Sequence, residues 1–332
     1  MSSQSHDRTR FDKLVQGLRM PAMGAPMFIV SSPELVIAQC CAGIIGSFPA
    51  LNAREEAGAP VMLEHWLAQI TEALARHDGA HPDRPAAPFA VNLIVHRSNA
   101  RLERDVEICT RWKVPIWVTS LGARPEVNEA AHQAGAIVLH DVIDNRFARK
   151  AIEKGADGLI AVAAGAGGHA GRQNPLALIS EIRTWFDGPL LLSGAIANGA
   201  GILAAQAMGA DLAYIGSPFI ATAEANAHAD YKQMIVEGGA ADIVNSALFT
   251  GVAGNYLRGS LLRAGLDPDN LPAPEDGVGL RKPEDRAKAW KDIWGAGQGI
   301  GAVTRMQPAA DYVDWLAQDY THACAKLRGH LE

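Results

Sequence analysis

Short apolar runs recur along this chain, and each is followed by a segment long enough to form a helix. The runs are four to eight residues long, rich in aliphatic side chains and bounded by turn residues, which is typical of buried strands in a parallel sheet. Eight runs fit this description: Pro21–Phe28, Gly43–Phe48, Phe89–Val95, Ile116–Leu121, Ala136–Val142, Gly158–Ala163, Leu190–Ser193 and Leu212–Ile215.

The segments between the runs carry apolar residues at helical spacing, as in 61–75 and 199–208. Alternating strands and helices predict a parallel sheet, and eight such units can close into a (β/α)8 TIM barrel, with a doubly wound sheet as the alternative. Barrels bind phosphate in the loops after strands seven and eight. Because the seventh and eighth runs end in Gly194-Ala195 and Gly216-Ser217, the sequence favours the barrel.

The pattern changes after residue 222, so we predict a barrel over 1–222 and a smaller, mainly helical subdomain over 223–332. The stretch 268–277 is rich in proline and predicts an exposed loop. A second stretch, 294–303, is rich in glycine but too apolar for a flexible linker. We expect this glycine-rich loop to fold back over the barrel mouth, with a packing loop that contacts no ligand as the alternative.

Composition excludes some partners. The net charge is -6, which gives no electrostatic attraction to nucleic acid or to anionic membranes. Apolar stretches are strand-sized, well short of the roughly 20 residues that span a bilayer, and the first ten residues are polar. We therefore expect a cytoplasmic protein that acts on a small molecule. No histidine, cysteine or carboxylate pattern predicts a metal site.

A glycine-dense loop, Gly165-Ala-Gly-Gly-His-Ala-Gly171, follows the sixth run and contains one histidine. Glycines leave room for a ligand to approach the backbone, and His169 would be the titratable group within reach. A histidine in a loop often only satisfies a turn. The backbone N–H groups after the seventh and eighth runs could bind phosphate, which makes the three loops one candidate site.

The same loop also matches G-x-G-x-x-A, the dinucleotide-binding turn. That turn should open its domain and lead directly into a helix. Here five predicted strands precede the one that leads into this loop, and the next helix is expected to start only at Pro175. We therefore rank the Rossmann interpretation below the barrel.

Several phrases together resemble the nitronate monooxygenase, or 2-nitropropane dioxygenase, family of FMN-dependent barrels. They occur in order along nearly the whole chain: Ala25-Pro26-Met27, Val91-Asn92, Gly167-Gly-His-Ala-Gly171, Ser193-Gly-Ala-Ile-Ala-Asn-Gly199, Met208–Phe219, Ala225–Lys232 and Trp294-Gly-Ala-Gly-Gln298.

The resemblance implies roles for individual residues. It implies that His169 lies beside the flavin as catalytic base or proton donor. It further implies that the FMN phosphate is bound by Gly194, Ala195, Gly216 and Ser217. The isoalloxazine ring would be bordered by Ala25, Pro26, Met27 and Asn92. Gly168 and Gln298 would contact the cofactor from the neighbouring loops.

The chain departs from the family pattern at three places. Many members have a glutamate or cysteine where this chain has Gly165-Ala166. Many carry a lysine where Asp141 follows His140, and a second glycine where Ala195 stands. The motifs that imply FMN binding remain despite these departures. They do not identify the substrate, and they do not show whether a nicotinamide is used.

Three functions remain open from the sequence. The first is FMN-dependent oxidation of alkyl nitronates by dioxygen to carbonyl compounds and nitrite. The second is an NAD(P)H-dependent FMN reductase of quinones or an enoyl thioester. The third is a phosphate-ligand-binding protein without catalysis. The oligomeric state is also open, with a homodimer as one option.

Overall fold

The computed structural model describes residues 3–55, 61–271 and 291–331. Its strands in chain order are β1 Ala22–Gly24, β2 Gly46–Pro49, β3 Phe89–Ile94, β4 Ile116–Ser120, β5 Ile137–Val142, β6 Gly158–Val162, β7 Gly168–His169, β8 Leu190–Ser193, β9 Leu212–Ile215, β10 Ile243–Ser246 and β11 Gly254–Leu257.

Eight of these strands form one parallel sheet in the order β1-β9-β8-β6-β5-β4-β3-β2. A parallel bridge between Met23 and Ile45 joins the two ends of this order, and Gly24 N donates to Ile45 O at 2.8 Å. The strands therefore follow one another around a closed ring, as in a (β/α)8 TIM barrel. The predicted fold and all eight predicted strands are confirmed, and the doubly wound alternative is wrong.

The first strand is shorter than its apolar run. β1 ends at Gly24, and Pro26, which has no N–H to donate, follows it. Met27 and Ser31 then close a turn, with Ser31 N donating to Met27 O at 3.0 Å. The remaining apolar residues of the run thus lie at the barrel mouth instead of in the sheet.

Twelve α-helices are present in the described ranges. In chain order they are α1 Ser3–Val15, α2 Pro33–Cys41, α3 Val61–Ala80, α4 Leu102–Arg111, α5 Pro125–Gln133, α6 Asn145–Glu153, α7 Pro175–Arg183, α8 Gly199–Ala207, α9 Ser217–Ile220, α10 Ala229–Glu237, α11 Arg258–Arg263 and α12 Ala309–Leu331.

Local signals set the helix starts. α2, α5 and α7 each begin with proline, whose missing N–H costs nothing in the first turn. The side chain of Asn198 caps α8 by accepting from Gly201 N at 2.7 Å. Such starts place each helix directly after the loop that follows a barrel strand.

Strand alternation divides the core in two. Residues facing the barrel interior, such as Val118, Leu139 and Ile160, form one buried cluster, and α1 closes this interior with Phe11, which is 1% exposed. Residues facing outward pack against the surrounding helices in the larger cluster. Both faces of the barrel strands are therefore buried, which explains their near-continuous apolar sequence.

The chain after β9 forms a second, smaller sheet. β10 pairs with β11, and β11 pairs antiparallel with β7, so a segment from residues 243–257 holds the loop after β6. α12 then packs along α8 and α2 on the outside of the barrel. The division of the chain at residue 222 remains a prediction, and the proline-rich stretch 268–277 lies mostly outside the described residues.

Across the three described ranges, no helix has both the length and the apolar character needed to cross a bilayer.

Close packing of α12 on α8 predicts an asymmetric response to two glycine substitutions. A Cβ at Gly199 would lie 1.9 Å from Tyr320 N, whereas a Cβ at Gly329 in α12 meets nothing within 4 Å. We expect Gly199→Ala to lower the free energy of unfolding by about 1–3 kcal/mol. Gly329→Ala should leave it unchanged or raise it by up to about 1 kcal/mol. Urea denaturation measures both, and equal effects would contradict this packing.

Candidate active site

The candidate site lies where the barrel strands end. Three loops meet there: the loop after β6 with His169, the loop after β8 with Gly194, and the loop after β9 with Gly216. The glycine-rich loop, residues 294–303, packs onto all three. The structure thus brings together the residues that the sequence singled out separately.

Contacts from the C-terminal part of the chain hold the His169 loop. Gly254 of β11 pairs with His169, and Ala170 N donates to Ala253 O at 3.2 Å. The buried Asn255 donates from Nδ2 to Ala166 O at 2.6 Å. Gly168 has a φ of +69°, a conformation that glycine adopts without strain. His169 is therefore fixed by strand pairing that begins about 80 residues later in the chain.

The imidazole of His169 has a defined partner. Its Nε2 lies 2.9 Å from Thr250 Oγ1, and the Thr250 hydroxyl donates to Val252 O at 3.0 Å. The contact with Thr250 fixes the orientation of the imidazole ring. Burial lowers the pKa of His169. The geometry provides a neutral imidazole near pH 7, the form that can accept a proton.

The loops after β8 and β9 present backbone toward the mouth. A Cβ at Gly194 would lie 2.9 Å from Ala164 O, so this position requires glycine. Ala195 is exposed, with a φ of +55°. In the described part of the chain, the N–H groups of Gly216 and Ser217 donate to no protein acceptor, and both residues are partly exposed. Such donors suit an anionic group such as phosphate.

The glycine-rich loop makes direct contact with this rim. Gly297 N donates to Ser217 Oγ at 2.8 Å, which leaves the Ser217 hydroxyl proton available to a ligand. Gln298 N donates to Gly165 O at 2.9 Å, and Ala195 N reaches the same oxygen at 3.3 Å. Gln298 is exposed beside these residues. The expectation that this loop returns to the barrel mouth agrees with these contacts.

Trp294 anchors the start of the loop. It stacks on Tyr231 with ring centroids 4.9 Å apart, and the Arg263 guanidinium lies 4.7 Å from its ring centroid. Tyr231 OH donates to Gly295 O. Trp294 is 5% exposed. Its ring therefore positions the loop by packing and has little surface left for a ligand.

One side of the site is formed by the residues after β1. A Cβ at Gly216 would lie 3.4 Å from the Ala25 Cβ and 3.7 Å from Met27 Sδ. The side chain of Asn52 fixes this turn, donating to Met27 O at 3.0 Å and accepting from Ile29 N at 2.8 Å. Ala25, Pro26 and Met27 are partly exposed, and they border the same mouth as Gly216.

Three polar side chains at the base of the barrel mouth, called its floor here, are joined by hydrogen bonds. Asn92 Nδ2 donates to Val118 O at 3.2 Å and to Ser120 Oγ at 2.7 Å, and Ser120 Oγ donates to Asp141 Oδ2 at 2.5 Å. Asn92 is 5% exposed. Its amide hydrogens are thus engaged with β4, and it supports the floor.

Sequence patterns did not indicate several residues of the site. Asn52, Thr250, Asn255 and Ser120 all orient other site residues. Asn52 lies in a three-residue 3-10 helix, Thr250 in a turn and Asn255 in a short strand, and none of these belongs to a recognisable motif. Ser120 and Asp141 could have been found, because strand alternation from Val118 and Leu139 places both on the interior face.

This arrangement fits a ligand with an anionic end and a flat apolar body. Backbone donors at Gly216 and Ser217 would hold the anion, and Ala25 and Met27 would contact the body. His169 would accept or return a proton beside it. These are the requirements of a flavin mononucleotide, and the donor set therefore fits the group that the motifs imply.

Comparison with known proteins adds independent support. A family model described as nitronate monooxygenase matches residues 68–319. A nitronate monooxygenase from Paraburkholderia phytofirmans is 25% identical, over 94% of this chain and 95% of the relative.

A second relative comes from Mycobacterium tuberculosis. It is named (3aS,4S,5R,7aS)-5-hydroxy-7a-methyl-1-oxo-octahydro-1H-indene-4-carboxyl-CoA dehydrogenase and is 26% identical, over 77% of this chain and 67% of the relative. Among solved structures, nitroalkane oxidase from Streptomyces ansochromogenes is similar with a TM-score of 0.75 and 23% identity, over 96% of this chain and 99% of that one. The last likeness supports the barrel fold alone.

The contact between the glycine-rich loop and the rim predicts a matched pair of variants. A Cβ at Gly297 would lie 2.6 Å from Gly165 O and 2.9 Å from Gly167 N, whereas a Cβ at Gly301 lies 3.7 Å from its nearest neighbour, Gly239 Cα. Gly297→Ala should weaken FMN binding at least about tenfold, since backbone must move. Gly301→Ala should bind FMN as the wild type does. Quenching of FMN fluorescence measures both affinities, and unchanged binding by Gly297→Ala would exclude this role of the loop.

Proposed function

Because this chain belongs to the nitronate monooxygenase family, whose members are flavin-dependent oxidoreductases, we propose that it binds FMN and uses dioxygen to oxidise alkyl nitronates to carbonyl compounds and nitrite. The observation that carries the proposal is the position of His169. A neutral imidazole is held by Thr250 next to the N–H groups of Gly216 and Ser217, which donate to no acceptor in the described part of the chain.

The proposed cofactor contacts follow from the site. N–H groups of Gly216 and Ser217, with the Ser217 hydroxyl, would bind the FMN phosphate, and the loop through Gly194 and Ala195 would border it. Ala25, Pro26, Met27 and Asn92 would border the ring, with Gly168 and Gln298 beside them. When bound, FMN supplies the electron transfer to dioxygen.

His169 would handle the proton. A neutral nitroalkane carries an acidic C–H next to the nitro group, and the neutral imidazole of His169 would accept that proton. The C–H bonding electrons then move into the nitro group, which gives the nitronate, while the proton stays on the imidazole. Thr250 would keep the ring oriented through its contact with Nε2.

The mouth also fits an alkyl substrate. Four large apolar side chains in the loops around the mouth remain 40–47% exposed: Phe28, Leu121, Ile143 and Val252. Phe28, Leu121 and Ile143 follow β1, β4 and β5, and Val252 precedes β11 near His169. Exposed apolar side chains around a cleft favour a ligand with an apolar portion.

Replacement of His169 separates proton removal from the later steps. His169→Asn should lower kcat/KM for a neutral nitroalkane at least about 100-fold, because general base catalysis is lost. It should change kcat/KM for the preformed nitronate less than about threefold, since that substrate has already lost its proton. Oxygen consumption measures both reactions. His65→Asn, at an exposed position of α3, is the control and should behave as wild type.

FMN content must be measured alongside. If His169→Asn retains FMN and loses both activities equally, then the base role is wrong.

A second candidate function is supported by the similarity to a carboxyl-CoA dehydrogenase. In this alternative the same site would take hydride from NADH or NADPH and reduce a quinone or an enoyl thioester.

Anaerobic mixing distinguishes the two candidates. We expect excess alkyl nitronate to bleach the flavin absorbance within seconds, whereas NADH and NADPH leave it unchanged over the same time. His169→Asn should still be bleached by nitronate. Rapid bleaching by NADH or NADPH, with no response to nitronate, would favour the reductase and overturn the nitronate proposal.

A further inference from the structure

Two buried oxygens at the top of the barrel interior have no protein partner in the described part of the chain. They are Asp141 Oδ1 on β5 and the hydroxyl of Tyr214 on β9. Buried polar atoms are nearly always hydrogen-bonded in folded proteins, and exceptions are commonly satisfied by a ligand. Their position at the mouth makes both of them candidates for ligand contacts.

Asp141 points into the barrel at the level of the mouth. It follows Ile137 and Leu139 on the interior face of β5, and it is the last interior residue of that strand. The residue is partly exposed, while its Oδ1 atom is buried. Because the barrel wall surrounds it on all other sides, the exposed surface faces the proposed flavin site.

The other carboxylate oxygen is held firmly. Ser120 donates to Oδ2 at 2.5 Å, and Asn92 in turn donates to Ser120 Oγ. This chain fixes the orientation of the carboxyl group, while Oδ1 has no hydrogen-bond partner in the described part of the chain.

The surroundings favour an uncharged Asp141. Burial raises the pKa of Asp141 to about 6, while the hydrogen bond from Ser120 lowers it. No lysine or arginine in the described ranges offsets the burial. Burial and the nearby Asp141 charge raise the pKa of Tyr214, so the phenol stays neutral. His140 faces the opposite side of β5, where Nδ1 contacts Thr119 Oγ1 at 2.6 Å.

We propose that Asp141 is a proton-exchanging group in the floor of the flavin site, close enough to the flavin ring for the charge of its carboxyl group to act on it. The neutral carboxyl leaves the region beside the ring uncharged. The ionised carboxylate places a negative charge against the ring. This inference rests on the proposed binding of FMN.

The charge of Asp141 would couple electron transfer to proton uptake. Reduction adds electrons to the ring and increases its negative charge, which disfavours a carboxylate alongside. Above the pKa of Asp141, reduction would therefore draw one proton from solvent onto the carboxylate. Below that pKa the proton is already in place, and no extra uptake occurs.

Potentiometric titration of the FMN-loaded protein from about pH 5 to pH 8 tests this coupling. With dithionite as reductant, the wild type and Asp141→Asn should have similar reduction potentials at the acid end. Above about pH 6, the wild-type potential should fall below that of Asp141→Asn, and the gap should widen with pH. Asp311→Asn, which removes an exposed carboxylate on α12, should follow the wild type at every pH.

Ser120→Ala provides a variant that keeps Asp141. The hydrogen bond from Ser120 favours the ionised form of Asp141, so its loss should raise the pKa of Asp141. The pH above which the reduction potential falls more steeply should therefore move upward. If Asp141→Asn does not fold, this shift alone tests the proposal, and an unchanged pH dependence in Ser120→Ala would contradict it.

Infrared titration of the flavin-free protein separates this inference from the proposed function. In the wild type, a carboxyl C=O band should disappear as the pH rises, with a midpoint near pH 6. Asp141→Asn should lack this band. Failure to bind FMN would overturn the proposed function. Bound FMN with identical potentials in the wild type and Asp141→Asn would overturn the role of Asp141 alone.

Discussion

The site depends on the close approach of two glycine-containing backbone segments at the barrel mouth, one in the glycine-rich loop and one in the loop after β6. Gly297 packs against Gly165 and Gly167 so closely that no Cβ fits between them. That approach lets Gly297 N orient the Ser217 hydroxyl and lets Gln298 N reach Gly165 O. The glycine-rich loop thereby contacts the loops after β6, β8 and β9 at once. The glycines are therefore required by the geometry of the rim, and the stack of Trp294 on Tyr231 holds the loop in place.

The barrel could be predicted because its strands are buried on both faces. That burial produces apolar runs at regular spacing, and the runs at 89–95 and 158–163 coincide with β3 and β6 within one residue at each end. The second sheet could not be predicted. β7 is only two residues long and lies in a glycine loop, and its pairing with β11 joins segments some 85 residues apart, which no local pattern encodes. The hydrogen bond between His169 and Thr250 depends on that pairing. Sequence motifs therefore indicated His169 but could not indicate Thr250 as its partner.

Burial acts on the two titratable groups of the site in opposite directions. It lowers the pKa of His169 and raises the pKa of Asp141, because in each case burial disfavours the charged form. Near neutral pH, both groups consequently lie close to a change of protonation or on the uncharged side of it. At such a site, groups that can take up or release a proton lie beside the apolar side chains of the mouth. The apolar mouth and the proton chemistry thus have one physical origin.

The central claim is that main-chain donors at Gly216 and Ser217 hold an anionic phosphate, and comparison of FMN with riboflavin tests it most directly. The two ligands share the ring and differ in the phosphate, and each charge-assisted hydrogen bond contributes about 1.5–3 kcal/mol. We predict that the flavin-free protein binds FMN at least about 100-fold more tightly than riboflavin, as measured by fluorescence quenching at fixed ionic strength. Equal affinity for the two ligands would contradict the account.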